Sequence, residues 1–446
     1  MPSPIVILHG WSDESRSFRP LADFLRRELK SEVTTLDLAD WVSLNDEITY
    51  RDLRHAMQRA WESHPGIKGA KNVRLVSHST GALVARDWLT HYYKPDTAPI
   101  SRHLMLAPAN FGSQLAHKGR AWYGRVFKGW KTGFQTGGHL LRGLELASAY
   151  TSELAERDLF GRRWFGEDAI LAAVLVGNTG YGGFKAVTDE VGGDGTVRIS
   201  TANLNAAKLI LDYTQPGAPG VTYKAPTGGP TLPFGISPGD NHSSLAFKQK
   251  NGRGEHAPTG ASTAAWVKRA LTAPPAEWKA FAAELAAANA TLTVSAEAEA
   301  YFHQYQHTVV CLRDDLENPV EEYLVEFLAE SGRRARSFRV NDVSGVFQRE
   351  IIADVHGYSG DSSRRSFYID ISALKTLLAD QQLTLMIEAQ PEYRTGAAVG
   401  YPALPGIRLD AQMMGAYFVE NRTLLVDVRV PRTVGPEAFR LMRHSG

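Results

Sequence analysis

The residues best suited to chemistry lie in the stretch "VRLVSHSTGALVARDWL", residues 73–89. An apolar, β-branched run ends at "SHSTG" and continues as a helical pattern, which places Ser79 on a strand-to-helix turn. Such a turn exposes its central hydroxyl and needs small residues two places before and after it, here Ser77 and Gly81. The Thr80 N–H, at the start of the helix, is then placed to donate to an oxyanion.

The same stretch has a plainer interpretation. The usual pattern is G-x-S-x-G, and this chain has serine at the first position. A strand followed by "STG" is also compatible with an ordinary capped helix, with Ser79 as its N-cap. Further residues are therefore needed before Ser79 can be interpreted as a nucleophile.

A carboxylate that could orient a catalytic imidazole lies in "GGDGTV", residues 192–197. Asp194 follows the late apolar run "AILAAVLVG" in a Gly-rich loop, where a buried acid could stabilise the cationic form of an imidazole. Asp-Gly pairs are also common in simple turns. Asp189 and Asp212 are the alternative acids.

The candidate imidazole is His242 in "GDNHSSL". It follows both other members in the chain, so the order is Ser79, Asp194, His242. His256 is the second choice for this role, and His78 is expected to point away from the pocket.

A second oxyanion donor is expected from the loop after the first strand, which contains "HGW". The backbone N–H of Trp11 is placed to supply it. The alternative is an ordinary glycine turn, and His9 is expected to be structural.

Elements that could position these residues alternate along the first half of the chain. Short apolar strands such as "PIVILHG" and "NVRLVSHS" alternate with amphipathic helical patterns such as "SFRPLADFLRREL". This alternation predicts a doubly wound, mostly parallel sheet covered by helices on both faces. We expect this α/β domain to span residues 1–275, with a helical lid insertion at about residues 113–165.

The two prolines of "TAPPAEW" indicate a domain boundary, and beyond about Ala290 the pattern changes to short strand candidates separated by turn residues. This predicts an antiparallel β-sandwich over residues 276–446. Its "SGRRARSFR" and "SSRRS" segments are basic, and the domain could bind lipid, sugar or protein, or only stabilise an oligomer. The single cysteine, Cys311, lies in a strand-like run and is expected to be buried and inert.

Composition limits the function classes. The 446 residues are 43% hydrophobic and 22% charged, with a formal net charge of +1, which is typical of globular proteins and does not favour nucleic-acid binding. No metal cluster is recognisable, and we expect neither a metal nor a cofactor. The start "MPSPIVILHG" lacks a signal-peptide pattern and no segment is long and apolar enough to cross a bilayer, so we expect a cytoplasmic protein or export without a cleaved signal.

Together the four motifs resemble the α/β-hydrolase superfamily, and within it the lipases. "SHSTGALVAR" resembles the lipase nucleophile elbow, and "GDGTV" with "NHSSL" is similar to loops of lecithin–cholesterol acyltransferase and PGAP-type lipases. "LAPANFGSQLA" resembles the lipase segment that leads into the lid. The resemblance covers about the first 270 residues. It implies two-step acyl transfer by Ser79, Asp194 and His242, with Trp11 and Thr80 as oxyanion donors.

The predicted lid indicates the substrate class. It contains large aromatic and basic residues, and neither Asp nor Glu occurs between residues 111 and 142. The aromatic residues are Trp122, Tyr123, Phe127, Trp130 and Phe134, and the basic ones are Lys118, Arg120, Arg125, Lys128, Lys131 and Arg142. This mixture suits peripheral membrane contact, or a packed cap with a solvated basic face. Either alternative favours acyl esters or lipids as substrates.

Several functions stay open. The first is a serine carboxylic ester hydrolase, a lipase or esterase. The second is a phospholipase, which could be a toxin exported without a signal. The third is a catalytically silent binding protein with a hydrolase-like shell.

Overall fold

The computed structural model describes most of the chain. The described residues are 3–9, 15–43, 45–116, 137–181, 192–227, 232–292, 304–329, 345, 347–378, 382–395 and 397–438. Residues 117–136 of the predicted lid lie outside these ranges. They include its aromatic candidates Trp122, Tyr123, Phe127, Trp130 and Phe134, and its basic candidates Lys118, Arg120, Arg125, Lys128 and Lys131.

Ten α-helices occur in the described residues. They are α1 (Arg19–Leu29), α2 (Tyr50–Ser63), α3 (Gly81–Tyr92), α4 (Gly138–Leu144), α5 (Ala149–Asp158), α6 (Ile199–Ala202), α7 (Thr263–Thr272), α8 (Trp278–Ala290), α9 (Ile371–Leu378) and α10 (Ala411–Tyr417). None of these described helices combines the length and the apolar character that a bilayer-spanning segment requires.

The strands divide between two sets of sheets. The first set is β1 (Ile5–Leu8), β2 (Val33–Leu36), β3 (Val73–His78), β4 (Ile100–Leu106), β5 (Leu171–Gly177) and β8 (Phe234–Ser237). The others are β6 (Ala207–Asp212), β7 (Gly220–Lys224), β9 (Tyr305–Asp314), β10 (Tyr323–Ala329), β11 (Ile352–Gly357), β12 (Arg364–Asp370), β13 (Leu383–Ala389), β14 (Val399–Gly400), β15 (Ile407–Leu409), β16 (Thr423–Val430) and β17 (Thr433–Val434).

The first set forms one six-stranded sheet in the order β2-β1-β3-β4-β5-β8, in which every pair is parallel. The chain passes from β1 outward to β2 and then returns to β3 on the other side of β1. Strand order therefore reverses at β1 and β3, and open α/β sheets bind ligands beyond the carboxyl ends of the strands at such a point. The predicted parallel sheet is confirmed.

Helices cover both faces of this sheet, and every residue of β1, β3, β5 and β8 is therefore buried. Ile5 and Ile7 of β1 belong to a buried cluster with residues of α1, α7 and α8. The alternate residues Val6 and Leu8 are equally buried and point to the opposite face. On that face α2 and α3 pack together, and α3 also contacts α5.

Contacts divide the chain into two units that are interleaved in sequence. The first consists of residues 1–206, 225–303 and 421–423, and the second of residues 207–224, 304–420 and 424–446. This arrangement differs from a single boundary after residue 275. The β6–β7 hairpin belongs to the second unit, whereas α8, beyond the expected boundary, packs on β8 in the first.

The second unit is a β-sandwich. A three-stranded antiparallel sheet, β10-β13-β15, and a six-stranded sheet, β11-β12-β9-β16-β6-β7, contribute to one buried core. That core includes Phe327 and Ile387 from the first sheet and Leu209, Ile369 and Val426 from the second. Most pairs are antiparallel as predicted, but β16 and β6 run parallel, which makes the larger sheet mixed.

Cys311 lies on β9 inside this unit and is buried. Burial raises the pKa of its thiol, and Arg364 Nη1 donates a hydrogen bond to its Sγ over 3.2 Å. The thiolate is thus disfavoured, as expected for a structural cysteine.

Candidate active site

Ser79 occupies the turn between β3 and α3 in a left-handed backbone conformation, with φ of +55°. Its N–H donates to the Leu106 carbonyl at the end of β4, and its own carbonyl accepts from the Ala82 N–H in the first turn of α3. Ser79 thus connects the carboxyl end of the sheet to the first turn of α3 through its backbone hydrogen bonds. A serine at positive φ is uncommon, and such conformations cluster at functional sites.

The close packing that this turn requires is visible at Gly81. A Cβ at this position would lie 2.8 Å from the Leu8 carbonyl oxygen and 2.9 Å from that of His9. Both obstacles are backbone atoms at the end of β1. The start of α3 can therefore approach β1 only because residue 81 has no side chain.

Ser77, which replaces the usual glycine, is accommodated by a hydrogen bond. Its Oγ and His103 Nε2 on β4 lie 2.8 Å apart, and both residues are fully buried. Burial, with a smaller contribution from the Arg86 charge, lowers the pKa of His103 to about 3. A neutral imidazole therefore satisfies the additional hydroxyl without placing a charge beside the turn.

Asp194 and His242 form a buried pair. His242 Nδ1 donates to Asp194 Oδ2 over 3.0 Å, because a carboxylate can only accept. The other oxygen, Oδ1, accepts from the backbone N–H groups of Thr196 (3.0 Å) and Val197 (2.8 Å). A backbone bond from His242 N to the Asp194 carbonyl, 2.9 Å long, joins the two loops. The acid and the ring are thus fixed by side-chain and backbone contacts.

The residue before Ser79 links the turn to this pair. His78 Nε2 donates to the His242 carbonyl oxygen over 2.9 Å, and the two rings are tilted with centroids 4.6 Å apart. His78 was expected to point away from the pocket. It packs instead against the candidate catalytic histidine, and so brings the loop of His242 to the end of β3.

Strand register places all three loops at one edge of the sheet. His78 at the end of β3 pairs with Leu106 at the end of β4, and Gly177 at the end of β5 pairs with Ser237 at the end of β8. Ser79 directly follows β3, Asp194 follows β5, and His242 follows β8. Their convergence is therefore a consequence of parallel strands that end at the same level.

Buried ion pairs hold α5 against α3, the helix that follows Ser79. Arg86 Nε and Nη2 donate to both carboxylate oxygens of Asp158 over 2.7 and 2.9 Å, and neither side chain is exposed. Asp87 pairs with Arg54 and Arg157 in the same region. This part of the predicted lid insertion is thus a fixed portion of the fold.

The remaining candidates from the sequence are either outside the described residues or placed by the structure. Trp11 and Asp189 lie outside the described residues, whereas Thr80 is buried at the start of α3. Asp212 belongs to the second unit and accepts hydrogen bonds from Thr214, and His256 is exposed. In the described part of the chain, no three His, Cys, Asp or Glu residues are grouped as a metal would require.

Sequence reasoning missed a residue that holds the acid loop. Ser113 Oγ donates to the Thr196 carbonyl over 2.7 Å, and therefore ties the segment after β4 to the loop of Asp194. The segment "LAPANFGS" was recognised only as the approach to a lid. A small polar residue directly after its Phe-Gly pair was the available signal.

Known proteins resemble this chain in part of its sequence and in its fold. The alpha/beta hydrolase family matches residues 5–169. Phospholipase PlaB from Legionella pneumophila is 22% identical, covers 100% of this chain with 97% of its own, and has a TM-score of 0.79. Its complex with thio-NAD gives a TM-score of 0.78 at the same identity and coverage. A Bacillus licheniformis lipase, BlEst2, is 16% identical, with a TM-score of 0.38 over 60% of this chain and 92% of its own.

No curated protein sequence matches the chain. The fold likeness to PlaB includes the second unit as well as the first, because it extends over the whole chain. Residues 5–169 match the alpha/beta hydrolase family, and the parallel sheet with its strand-to-helix turn gives the first unit an α/β-hydrolase fold.

Proposed function

We propose that this protein is a serine carboxylic ester hydrolase that acts on lipid-like acyl esters through an acyl-enzyme. One observation carries the proposal: the buried Asp194–His242 pair is joined through His78 to the strained turn at Ser79. A hydroxyl on a sharp turn, an imidazole and a buried carboxylate are the groups that such a mechanism needs.

The proposed chemistry has two steps. In the first, His242 Nε2 takes the proton of the Ser79 hydroxyl while Oγ attacks the ester carbonyl carbon, and Asp194 stabilises the imidazolium. The tetrahedral intermediate collapses as the C–O bond to the alcohol breaks, and His242 returns the proton to that alcohol. In the second step, water activated by His242 attacks the acyl-enzyme, which releases the acid and restores Ser79.

The oxyanion is held by backbone donors. The Thr80 N–H at the start of α3 is the proposed donor from the turn, and the Trp11 N–H is the proposed second donor. Each such donor is typically worth about 2.7–4 kcal/mol in the transition state. The partial positive charge at the helix N-terminus adds to this stabilisation.

Phospholipids are the substrates that one specific observation favours within this class. PlaB, a structural neighbour that covers the whole chain, is a phospholipase, and its fold likeness includes the β-sandwich unit. The basic and aromatic segment of residues 117–136 contains groups suited to an anionic lipid surface, so peripheral membrane contact is part of the proposal.

The experiment is hydrolysis of p-nitrophenyl esters from short to long acyl chains, beside phosphatidylglycerol and phosphatidylcholine vesicles. We expect turnover that increases with chain length, release of fatty acid from vesicles, and loss of both in Ser79→Ala. A fluorophosphonate probe should label the wild type and leave Ser79→Ala unlabelled. Absence of labelling and turnover in folded wild-type protein would overturn the proposal in favour of a silent binding protein.

A further inference from the structure

Asp240 lies two residues before His242, is completely buried, and has no direct role in the proposed reaction. Its carboxylate accepts five hydrogen bonds. Oδ1 accepts from Ser244 Oγ (2.7 Å) and Thr259 N (2.7 Å), and Oδ2 accepts from Ser237 Oγ (2.7 Å), Gly260 N (3.2 Å) and Thr263 Oγ1 (2.8 Å).

These donors come from three separate elements. Ser237 is the last residue of β8, Thr263 is the first residue of α7, and Gly260 lies in the approach to that helix. Ser237 Oγ and Thr263 Oγ1 also lie in contact with each other, and a Cβ at Gly260 would overlap both hydroxyls. The carboxylate is therefore the common acceptor that joins the sheet, the helix and the intervening loop.

The same carboxylate closes the turn that carries His242. The bond from Ser244 Oγ to Asp240 Oδ1 joins the two ends of the five-residue segment 240–244, which has His242 at its centre. Ser244 Oγ also accepts from the Asn241 N–H over 2.9 Å. The backbone on both sides of His242 is consequently fixed to one buried anion.

We infer that Asp240 is a positioning residue for the proposed reaction, which holds His242 in place against Asp194 and Ser79. The inference rests on the proposed function. Asp194 fixes the orientation of the ring, whereas Asp240 fixes the backbone from which the ring projects. A displacement of about 1 Å at a reacting group can cost about 100-fold in rate.

An amide cannot reproduce this arrangement. Each carboxylate oxygen faces a backbone N–H, Thr259 at Oδ1 and Gly260 at Oδ2, and a backbone N–H cannot become an acceptor. In Asp240→Asn the NH₂ group must therefore oppose one of these donors in either rotamer. The loop has to shift to relieve the contact, although the side-chain volume is nearly unchanged.

The test compares kcat and KM of Asp240→Asn with those of Asp212→Asn. The control removes a carboxylate that also accepts from a backbone N–H and a hydroxyl, both of Thr214, in the second unit. We expect kcat to fall by about 10- to 100-fold in Asp240→Asn with KM changed less than about twofold, and no change in the control. Equal kcat in wild type and a folded Asp240→Asn would overturn the inference.

Two milder variants decide the matter if Asp240→Asn does not fold. Thr263→Val removes one donor to Oδ2, and Thr263→Ser keeps that hydroxyl. We expect a kcat decrease of about 3- to 10-fold in the first and near wild-type kcat in the second, with KM unchanged in both. A loss of melting temperature without this kcat difference would show a purely structural role and overturn the inference.

Failure of this inference is distinguishable from failure of the proposed function. Wild-type turnover that Ser79→Ala abolishes supports the function independently of residue 240. If that turnover is present and both Asp240→Asn and Thr263→Val retain wild-type kcat, the positioning role alone is wrong. If the folded wild type neither turns over esters nor reacts with the fluorophosphonate, both proposals are wrong.

Discussion

His78 Nε2 donates a hydrogen bond to the backbone carbonyl of His242 over 2.9 Å, while the two imidazole rings pack at 4.6 Å. The contact spans 164 residues of sequence and connects the turn of Ser79 to the loop of the candidate base. It acts on the backbone of His242 and leaves the Asp194 contact at Nδ1 undisturbed. The side chain at position 78 is thus a determinant of where the imidazole lies.

The loss of activity on replacement of His78 should therefore depend on whether the new side chain retains a hydrogen-bond donor. We expect His78→Leu to lower kcat/KM by about 3- to 10-fold, since one net hydrogen bond is worth about 0.5–1.5 kcal/mol. His78→Gln keeps an N–H donor and should lose less. Ester hydrolysis by the two purified variants checks this. Equal losses in both would show that ring packing, and not the hydrogen bond, is what matters.

Asp194→Asn should leave the fold intact and nearly abolish turnover. The amide can satisfy His242 Nδ1 only in the wrong tautomer, and a loss of up to about 10⁴-fold in kcat is typical when this acid is neutralised in serine hydrolases. Steady-state kinetics with a p-nitrophenyl ester measures the loss. Asp189→Asn, at the alternative acid, is the matched control and should retain activity. The opposite ranking would assign the acid to residue 189.

Gly81→Ala should be strongly unfavourable, because the added Cβ meets the backbone oxygens of Leu8 and His9 at 2.8 and 2.9 Å. We expect a destabilisation of about 1–3 kcal/mol, as is usual for overpacking at a rigid contact. Gly252→Ala is the control, since no atom lies within 4 Å of a Cβ there. Thermal unfolding of both variants tests the expectation, which fails if their melting temperatures agree.

Loss of the Asp158 charge should strongly destabilise the protein, because Asp158 is the buried counter-ion of Arg86. Asp158→Asn leaves the buried Arg86 charge without its counter-ion, and breaking a buried pair on one side usually costs about 3–5 kcal/mol. The exposed pair of Arg26 and Asp23 provides the control, and Asp23→Asn should hardly change stability. Chemical denaturation measures both. Similar stability of the two variants would contradict the prediction.

Acid should destabilise the protein partly through His103, whose pKa is lowered to about 3 by burial. The unfolded chain takes up this proton near pH 6.5 and the folded chain does not, so stability is lost as pH falls below 6.5. The slope from this residue is about 1.4 kcal/mol per pH unit. Denaturant unfolding of wild type and His103→Gln at pH 7, 6 and 5 should show a shallower decline in the variant. Parallel curves would exclude this contribution.

Local patterns in the sequence were sufficient to predict the turn at Ser79, but they did not predict the side chains that pack around it. A strand, a small-residue spacing and a helix are adjacent along the chain, so the conformation at Ser79 and the close approach at Gly81 could be predicted. The Ser77–His103 contact could not, because His103 is 26 residues away on a strand that gives no sign of its neighbour. The role of Asp240 was hidden for the same reason, since its donors come from β8 and from the approach to α7.

The assignment of strands to the two units could not be predicted from strand patterns alone. The parallel α/β sheet followed from the alternation of strands and helices, and short turn-separated strands indicated the sandwich. The hairpin of β6 and β7 looks like any other strand pair in sequence, yet it pairs with β16 in the second unit. Apolar periodicity shows that a strand is buried but does not identify the sheet that buries it.

The parallel pairing of β6 with β16 has a consequence for synthesis. β6 leaves the ribosome long before its partner does, and residues 225–303 of the other unit are made in between. During this interval β6 lacks the strand that joins it to the rest of its sheet, so Leu209 and Leu211 are not yet held in their core. Translation arrested before residue 424 should therefore yield a nascent chain that binds chaperones at this hairpin, and release should come only when the last long strand emerges.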